Sequence, residues 1–129
     1  MGQDSVADVE RFEKFHRVNA TSGGVPMVSI HLRGVFALNQ QAYEALGEPE
    51  AVELFKQRDE WVIGFGASVA DSPDAYKIRH HTKHSHQVAG KAFLEFYEIP
   101  EDMWGRRYKA EPLGNNMLAV NLMQIPEDL

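Results

Sequence analysis

The chain has 129 residues, of which 43% are hydrophobic and 25% charged, a composition typical of one folded domain of ordinary size. The absence of cysteine excludes disulfide scaffolds, thiolate zinc sites, iron–sulfur clusters and cysteine nucleophiles. The net charge of −6 disfavours a protein whose whole surface binds polyanions, and no apolar run approaches the roughly 20 residues that cross a bilayer.

The first 24 residues are charged and end in Asn19-Ala20-Thr21-Ser22-Gly23-Gly24, a composition typical of a flexible connection. Within them Phe12, Phe15 and Val18 have helical spacing, which predicts a short amphipathic helix docked on the core. Because the start resembles no signal peptide, we expect a cytoplasmic protein.

An alternation of apolar and polar residues begins at Met27. Val28, Ile30 and Leu32 are predicted to point one way and the residues between them the other way, as in a half-buried strand. A second strand is predicted at 35–38, and Asn39 is placed to cap a helix that ends at Gly47. Two apolar runs, 51–55 and 61–65, flank a charged turn and predict a β-hairpin.

The second half repeats this order of elements. After a linker at 67–75, a strand is predicted at 76–79, a strand end at 86–89, a helix at 92–96 and a hairpin formed by 107–111 and 117–122. The segments 86–89 and 92–96 match 36–39 and 42–46 at a constant offset of fifty positions. The pattern, more than residue identity, indicates an internal repeat.

Four segments of the first half follow one another in a recognisable order: Gly34-Val35-Phe36-Ala37-Leu38-Asn39, then Ala42 to Leu46-Gly47, then Val52-Glu53-Leu54, then Val62-Ile63-Gly64-Phe65. This order of a glycine-led strand, a short helix ending in Leu-Gly, a Val-Glu strand and an apolar return strand resembles the swapped-hairpin element of the SpoVT/AbrB family. Two such elements in one chain resemble the tandem arrangement of the MraZ proteins.

The resemblance implies an α+β, β-rich fold. In it, two tandem swapped-hairpin elements, about 27–66 and 76–122, form one small barrel-like domain over residues 25–129, preceded by a flexible arm at 1–24. It also implies a DNA-binding regulator of transcription that is not an enzyme and needs no cofactor. The chain departs from the family pattern because Val35 follows the glycine, Asn39 precedes the helix, and Glu48-Pro49-Glu50-Ala51 replaces a turn glycine.

Charge is distributed unevenly along the chain. Residues 1–75 hold six basic and twelve acidic side chains, whereas residues 76–129 hold seven of each. The stretch 76–91 contains no carboxylate. Its cations, together with one near the first glycine turn, are the predicted phosphate contacts: Arg33, Lys77, Arg79, Lys83 and Lys91. A further group, Arg106, Arg107 and Lys109, extends this patch or forms an exposed strand face, and the alternative for the whole patch is a solvated surface.

Three histidines form the most unusual local feature. His80 and His84 are one helical turn apart, while His84 and His86 share one face of a strand, so either geometry places two imidazoles near one metal ion. A complete site needs three or four ligands, and the alternative is a polar loop between the repeats. We predict no resident metal and keep these histidines as weak candidates.

Motifs of enzymes are missing from the sequence. It contains no Gly-x-Ser-x-Gly, no His-Glu-x-x-His, no phosphate-binding loop and no dinucleotide fingerprint. The predicted partner is duplex DNA. The alternative is a protein-interaction module, antitoxin-like or binding a host factor, that keeps the fold without binding DNA; the formation of homo-oligomers stays open. Most aromatic residues are assigned to the core: Phe36, Tyr43, Phe55, Trp61, Phe65, Phe93 and Phe96.

Overall fold

The computed structural model describes residues 24–125 and the backbone of residues 127 and 128. The N-terminal arm and its predicted amphipathic helix lie outside the described residues. The strands are β1 (Met27–Ile30), β2 (Val35–Asn39), β3 (Ala51–Lys56), β4 (Val62–Ser68), β5 (Tyr76–Lys77), β6 (Arg79–Thr82), β7 (Ser85–Ala89), β8 (Arg106–Gly114), β9 (Met117–Asn121) and β10 (Glu127–Asp128). The helices are α1 (Gln40–Ala45), α2 (Lys91–Phe96) and a 3₁₀ turn (Glu101–Met103).

The strands form one antiparallel sheet in the order β5-β3-β4-β9-β8-β1-β2-β7-β6, with β10 paired to β8. The strands at the two ends of this order, β5 and β6, are separated in the chain only by Ile78. The sheet therefore bends round on itself into a nearly closed barrel, and the protein is a β-rich, barrel-like domain as the sequence predicted.

Side chains from both halves of the chain fill the barrel. Phe36 is fully buried, and its ring meets Phe65 edge to face at 5.2 Å and Phe93 at 6.2 Å between centroids. Burial of one such ring contributes about 1.5–3 kcal/mol, and edge-to-face pairs add to this. The core thus contains side chains from both predicted repeats.

Asn39 links the first strand to the first helix. Its Oδ1 accepts the N–H of Ala42 at 2.8 Å, which caps α1 as predicted, and also the N–H of Met27 at 3.0 Å. The helix ends before Gly47, whose φ of +85° suits a residue without Cβ. One side chain therefore fixes both the entry to the barrel and the start of α1.

The predicted alternation fails at Leu32, which is 76% exposed. Strand β1 ends at Ile30 because the chain turns there: the N–H of Gly34 donates to the carbonyl of His31 at 2.8 Å, and Gly34 has a φ of +84°. Period-two patterning persists in the sequence beyond the point where the backbone leaves the strand, so the predicted strand was too long.

The histidine-rich stretch is folded differently from the prediction. The strand predicted at 76–79 is divided at Ile78 into β5 and β6, and β6 pairs with β7 in a short hairpin. The interpretation of this stretch as a loop was therefore wrong, because all four side chains of β6 are exposed while their backbone is paired, and exposure conceals the strand in a hydropathy pattern.

Two aromatic residues predicted in the core lie at the surface. Phe96 is 77% exposed, because the single core-facing stripe of the short helix α2 is already occupied by Phe93 and Leu94. Phe55 is 45% exposed and packs over Gly64 and Gly66 on the outside of the sheet. Tyr43 and Trp61 are half-buried against the core.

Candidate nucleic-acid interface

One row of residues crosses five strands of the sheet. In antiparallel pairs, residues directly opposite each other share a face. Successive pairings join Arg79, Gln87, Ala37, Ser29 and Arg107 into such a row, across β6, β7, β2, β1 and β8. At roughly 4.8 Å between strands, the two arginines are separated by about 19 Å measured along the curved sheet.

This row lies on the outside of the barrel. The next row consists of His80, His86, Leu38, Val28 and Tyr108, and all but the first are buried. Because successive residues of a strand point to opposite faces, the Arg79–Arg107 row lies on the outer side of the sheet, where Arg79 is exposed, Gln87, Ala37 and Arg107 are half-buried and Ser29 is buried. Lys109, two positions beyond Arg107, is exposed on the same side. We call the outer surface of β6, β7, β2, β1 and residues 106–109 of β8 the basic face.

The basic face carries cations at its two edges and small or polar side chains between them. Its strands contain no aspartate or glutamate in their sequences, MVSI, VFALN, RHHT, SHQVA and RRYK. The middle of the row is Gln87, Ala37 and Ser29, of which Ala37 and Ser29 are small and Gln87 is polar and longer. The face is therefore a curved part of the barrel wall with cations at its edges and small or polar side chains between them.

Two of the predicted phosphate contacts lie at one end of this face. Arg33 is exposed in the turn between β1 and β2, and Lys91 is exposed at the start of α2. Gly34 connects them: its carbonyl accepts the N–H of Gly90 at 3.0 Å, and a Cβ on Gly34 would come within 2.6 Å of Cβ of Lys91. The fold thus brings together two cations that are far apart in the sequence.

The other three predicted contacts are divided between two places. Lys83 is exposed in the turn between β6 and β7, next to the pair Asn39–Ser85 and so at the opposite end of the β2–β7 ladder from Arg33. Lys77 and Arg79 flank the buried Ile78, and both point outward. Lys77, however, pairs with β3 and lies beyond the edge of the basic face.

A small pocket opens on the basic face. It has a volume of about 210 Å³, and its lining includes Ser29, Ala37, His84 and Arg107. The Nδ1 atom of His84 is buried and has no hydrogen-bond partner in the described part of the chain. His31 also lines the pocket, and burial, with a smaller effect of Arg33, lowers its pKa. The pocket thus brings the polar groups of Ser29, His31 and His84 close to Arg107.

Acidic residues border the face on one side. Strand β10 pairs with β8 so that Glu127 is opposite Arg107 and Asp128 is opposite Arg106. Through this backbone pairing, two residues that bear carboxylates are placed beside two arginines. The positive potential at the β8 edge is therefore lower than the arginines alone would produce.

Behind the basic face, two of the candidate histidines bond to each other. Nδ1 of His80 and Nδ1 of His86 are 2.7 Å apart, and Nε2 of His86 lies 2.8 Å from Oε1 of Gln40. The ring of Tyr43 stacks on His86 at 4.0 Å and meets His80 edge to face. His86 is 4% exposed, so this is a buried cluster with one solvent-facing member, His80.

The network assigns the protons of this cluster. Nε2 of Gln40 donates to the carboxylate of Glu44 at 3.0 Å, so Oε1 of Gln40 faces His86 and accepts its Nε2–H. Nδ1 of His86 must then accept from Nδ1–H of His80. Burial, reinforced by His80 and then His84, lowers the pKa of His86 to about 4. His86 is neutral at physiological pH.

The two bonded histidines use their facing nitrogens on each other, and His84 lines the pocket on the opposite side of the sheet. Within residues 24–125, no three histidine, aspartate or glutamate side chains are grouped so that they could hold a metal ion. The cluster is explained by its internal hydrogen bonds.

From the sequence, Arg107 and Lys109 were predicted either to extend the basic patch or to lie on an exposed strand face. The signal was present, since both flank the buried Tyr108 and therefore share its outward alternation. The contributions of Ser29, Ala37 and Gln87 were missed, because only the strand order brings them between the cations.

Comparison of the chain with models of protein families, with curated proteins and with solved structures gave no match. The resemblance to the swapped-hairpin family therefore stays a prediction. Both helices in the described part of the chain are six residues long, too short to cross a bilayer.

Proposed function

We propose that this protein binds duplex DNA through its basic face and acts as a regulator of transcription of the AbrB type, without catalytic activity. The observation that carries the proposal is the row from Arg79 to Arg107, which has cations at both ends and small or polar side chains between them, with no carboxylate in β6, β7, β2, β1 or residues 106–109 of β8. Such a surface presents cations to a polyanion along about 19 Å of the curved sheet.

We also propose that the barrel consists of two interlocked swapped-hairpin elements. The β1–β2 register pairs Ile30 with Phe36, and fifty positions later the β6–β7 register pairs His80 with His86. Corresponding strands of the two halves also pair with each other, β2 with β7 and β4 with β9. These relations support a pseudo-twofold arrangement, and the offset equals the one in the sequence.

The geometry suits contact with the two backbones that border a groove. The major groove is about 12 Å wide, and long arginine and lysine side chains from the two edges of the face reach phosphates on either side of it. Arg79 is placed at one edge and Lys109 at the other, while Arg33, Lys83 and Lys91 lie at the ends of the strands. Contacts of this kind position a protein on DNA and do not select a sequence.

Selection of a sequence needs groups that reach base edges. Gln87 lies near the centre of the row, and its amide can both donate and accept hydrogen bonds. Glutamine pairs with adenine through two hydrogen bonds in the major groove. We therefore assign Gln87 as the base-reading candidate of the face.

The test is fluorescence anisotropy with a pool of random duplex DNA at several salt concentrations between about 50 and 200 mM. About four phosphate contacts predict a slope of log affinity against log salt of about −3.6. The variant Arg79→Gln/Lys109→Gln removes one exposed cation from each edge of the face and should reduce the slope by about 1.8.

A matched control removes the same charge elsewhere. Lys56 and Arg58 lie at the tip of the β3–β4 hairpin, away from the basic face, so Lys56→Gln/Arg58→Gln should leave the slope unchanged. Absence of binding at low salt, or equal losses in the two variants, would contradict the proposal. The second candidate, a protein-interaction module, is favoured by an open strand edge on the other half of the sheet.

A further inference from the structure

The edge of β3 is open over most of its length. The strand runs from Ala51 to Lys56, but β5 pairs only with Ala51 and Val52. On its other side β3 is paired with β4 along all six residues. Residues 53–56 therefore form a strand edge with a partner on one side only, and such an edge is a template for a further strand.

The register shows which backbone groups face the open side. The N–H of Gln57 donates to Val62 on the β4 side, whereas the N–H of Ile78 donates to the carbonyl of Glu50 on the β5 side. Because backbone groups alternate in direction along a strand, those of Leu54 and Lys56 point to the open side. In the described part of the chain, no backbone hydrogen bond reaches them from there.

A cleft of about 530 Å³ lies along this edge. On the N-terminal side of Tyr76 the chain no longer pairs with β3, and residues 73–75 form the wall of the cleft opposite the strand. Leu54, Tyr76 and Phe93 supply apolar surface toward the barrel, and each packs in or against the hydrophobic core. The cleft thus offers a small apolar surface, mainly from Leu54 and Tyr76, within a largely polar lining beside an unpaired strand edge.

The rim of the cleft is acidic. Glu53 and Asp74 lie on opposite sides of it. The Glu53 carboxylate is held in place, because its Oε2 accepts hydrogen bonds from Oγ of Ser72 at 3.0 Å and Oγ of Ser68 at 3.3 Å. Phe55, on the same outward face as Glu53, packs over Gly64, where a Cβ would come within 3.2 Å of it. The rim is therefore an ordered surface with negative charge.

We propose that this cleft binds an extended, basic segment of a partner protein, which adds as a strand to residues 53–56 of β3. Four residues of the segment, about 13 Å of strand, would pair with the edge. Its alternate side chains would be apolar, packing on Leu54, Tyr76 and Phe93, and basic, facing the carboxylates of Glu53 and Asp74. The charge of the rim selects a basic segment and disfavours an acidic one.

The cleft belongs to β3 and β5, whereas the basic face is formed by β6, β7, β2, β1 and the first part of β8. The proposal therefore does not depend on DNA binding. A protein that lacks all affinity for DNA would still present this edge, and one that binds DNA would keep it accessible for a partner.

The probe for the test is a fluorescein-labelled peptide of alternating lysine and valine, seven residues long, acetylated and amidated. Its affinity is compared with that of the peptide in which every lysine is glutamate, and with that of a lysine–valine peptide whose backbone nitrogens facing β3 are methylated. We expect the lysine peptide to bind at least tenfold more tightly than either. Equal binding of the methylated peptide would overturn strand addition, and equal binding of the glutamate peptide would overturn charge selection.

Amide hydrogen exchange of the wild-type protein locates the peptide. Addition of a strand should slow exchange of the amides of Leu54 and Lys56 by tenfold or more, while the amides of Glu53 and Phe55, already paired with β4, should change little. Protection elsewhere, or none, would overturn the proposal. Sedimentation of the free protein tests whether a second copy of the chain occupies the edge. In that case the protein would dimerise, and the amides of Leu54 and Lys56 would already be protected.

A matched pair of variants tests the rim. Glu53→Gln/Asp74→Asn should weaken binding of the lysine peptide about tenfold, the effect of losing two exposed ion pairs. Glu95→Gln/Glu111→Gln removes the same charge from exposed positions outside the cleft and should have no effect. Similar losses of affinity in both variants would show that the peptide is bound by general charge attraction, and this would overturn the proposal.

Discussion

The buried histidine His86 should make the stability of the protein depend on pH in a defined window. In the folded state its Nδ1 accepts from His80 and its Nε2–H donates to Gln40, and burial lowers its pKa to about 4. A second proton on His86 would bring two N–H groups together at the 2.7 Å contact with His80. In the unfolded chain the same imidazole protonates near its ordinary pKa of about 6.5.

The direction and magnitude of this pH dependence follow from the linkage between proton binding and unfolding. Between pH 6.5 and 4 the unfolded state binds the proton and the folded state does not, so acid favours unfolding. Relative to neutral pH, the free energy of unfolding should fall by about 2 kcal/mol at pH 5 and about 3 kcal/mol at pH 4. The contribution is fully present above pH 6.5. Because small domains have total stabilities of about 5–15 kcal/mol, this loss should be easily measured.

We would measure urea unfolding of the wild type and of His86→Gln at pH 7.5, 6, 5 and 4. The difference between the two proteins gives the contribution of His86 to the pH dependence of stability. Glutamine at this position does not titrate, and the carboxylates are common to both proteins. The wild-type protein should lose about 2 kcal/mol more than the variant between pH 7.5 and 5. His81→Gln is the control, since His81 is exposed on the neighbouring strand β6. Parallel pH profiles of wild type and His86→Gln would refute the reasoning.

Three further changes test the fold and the proposed face. Gly90→Ala should destabilise by roughly 1–3 kcal/mol or more in urea unfolding, because the new Cβ would lie 2.2 Å from the buried ring of Phe36, whereas Gly114→Ala meets nothing within 4 Å and should cost about 1 kcal/mol for its positive φ. Asn39→Ala should cost about 1–2 kcal/mol in the same assay by uncapping α1. If the basic face binds DNA, Glu127→Gln/Asp128→Asn should tighten binding several-fold in the anisotropy assay at low salt, and unchanged affinity would show that β10 does not oppose it.

The sequence predicted correctly those elements that depend on neighbouring residues, such as a helix cap and a hairpin. Asn39 was placed as the cap of α1 because its side chain is suited to accept an N–H at a helix start, and the hairpin of β3 and β4 followed from two apolar runs around a charged turn. Likewise, Arg33 was predicted as a phosphate contact from its position before Gly34, and the structure places it beside the equally predicted Lys91.

The failures have a common physical origin in tertiary context. Gly34 signals a turn in the sequence, but the apolar alternation continues through Leu32 and hides that β1 already ends at Ile30, where a hydrogen bond between His31 and Gly34 forms the turn. The histidines of β6 were not recognised as strand residues since their side chains are exposed while their backbone pairs with β7. The open edge of β3 depends on how far β5 follows it, which no local pattern contains.

The strand order separates the charges that the sequence mixes. Strands β1 and β2 come from the acidic first half of the chain but contain no carboxylate, and they pair with β7 and β8 from the second half, so Arg79 of β6 lies on the same side of the sheet as Arg107 and Lys109 of β8. Of the eight acids between residues 24 and 75, five lie in β3 and the loops on either side of it. At physiological salt, charges more than about 8 Å apart are largely screened, so a surface responds to its own charges more than to the net charge of −6. One face can therefore suit phosphates while the cleft on the other half of the sheet suits a basic peptide, and each can be disabled by variants that leave the other intact.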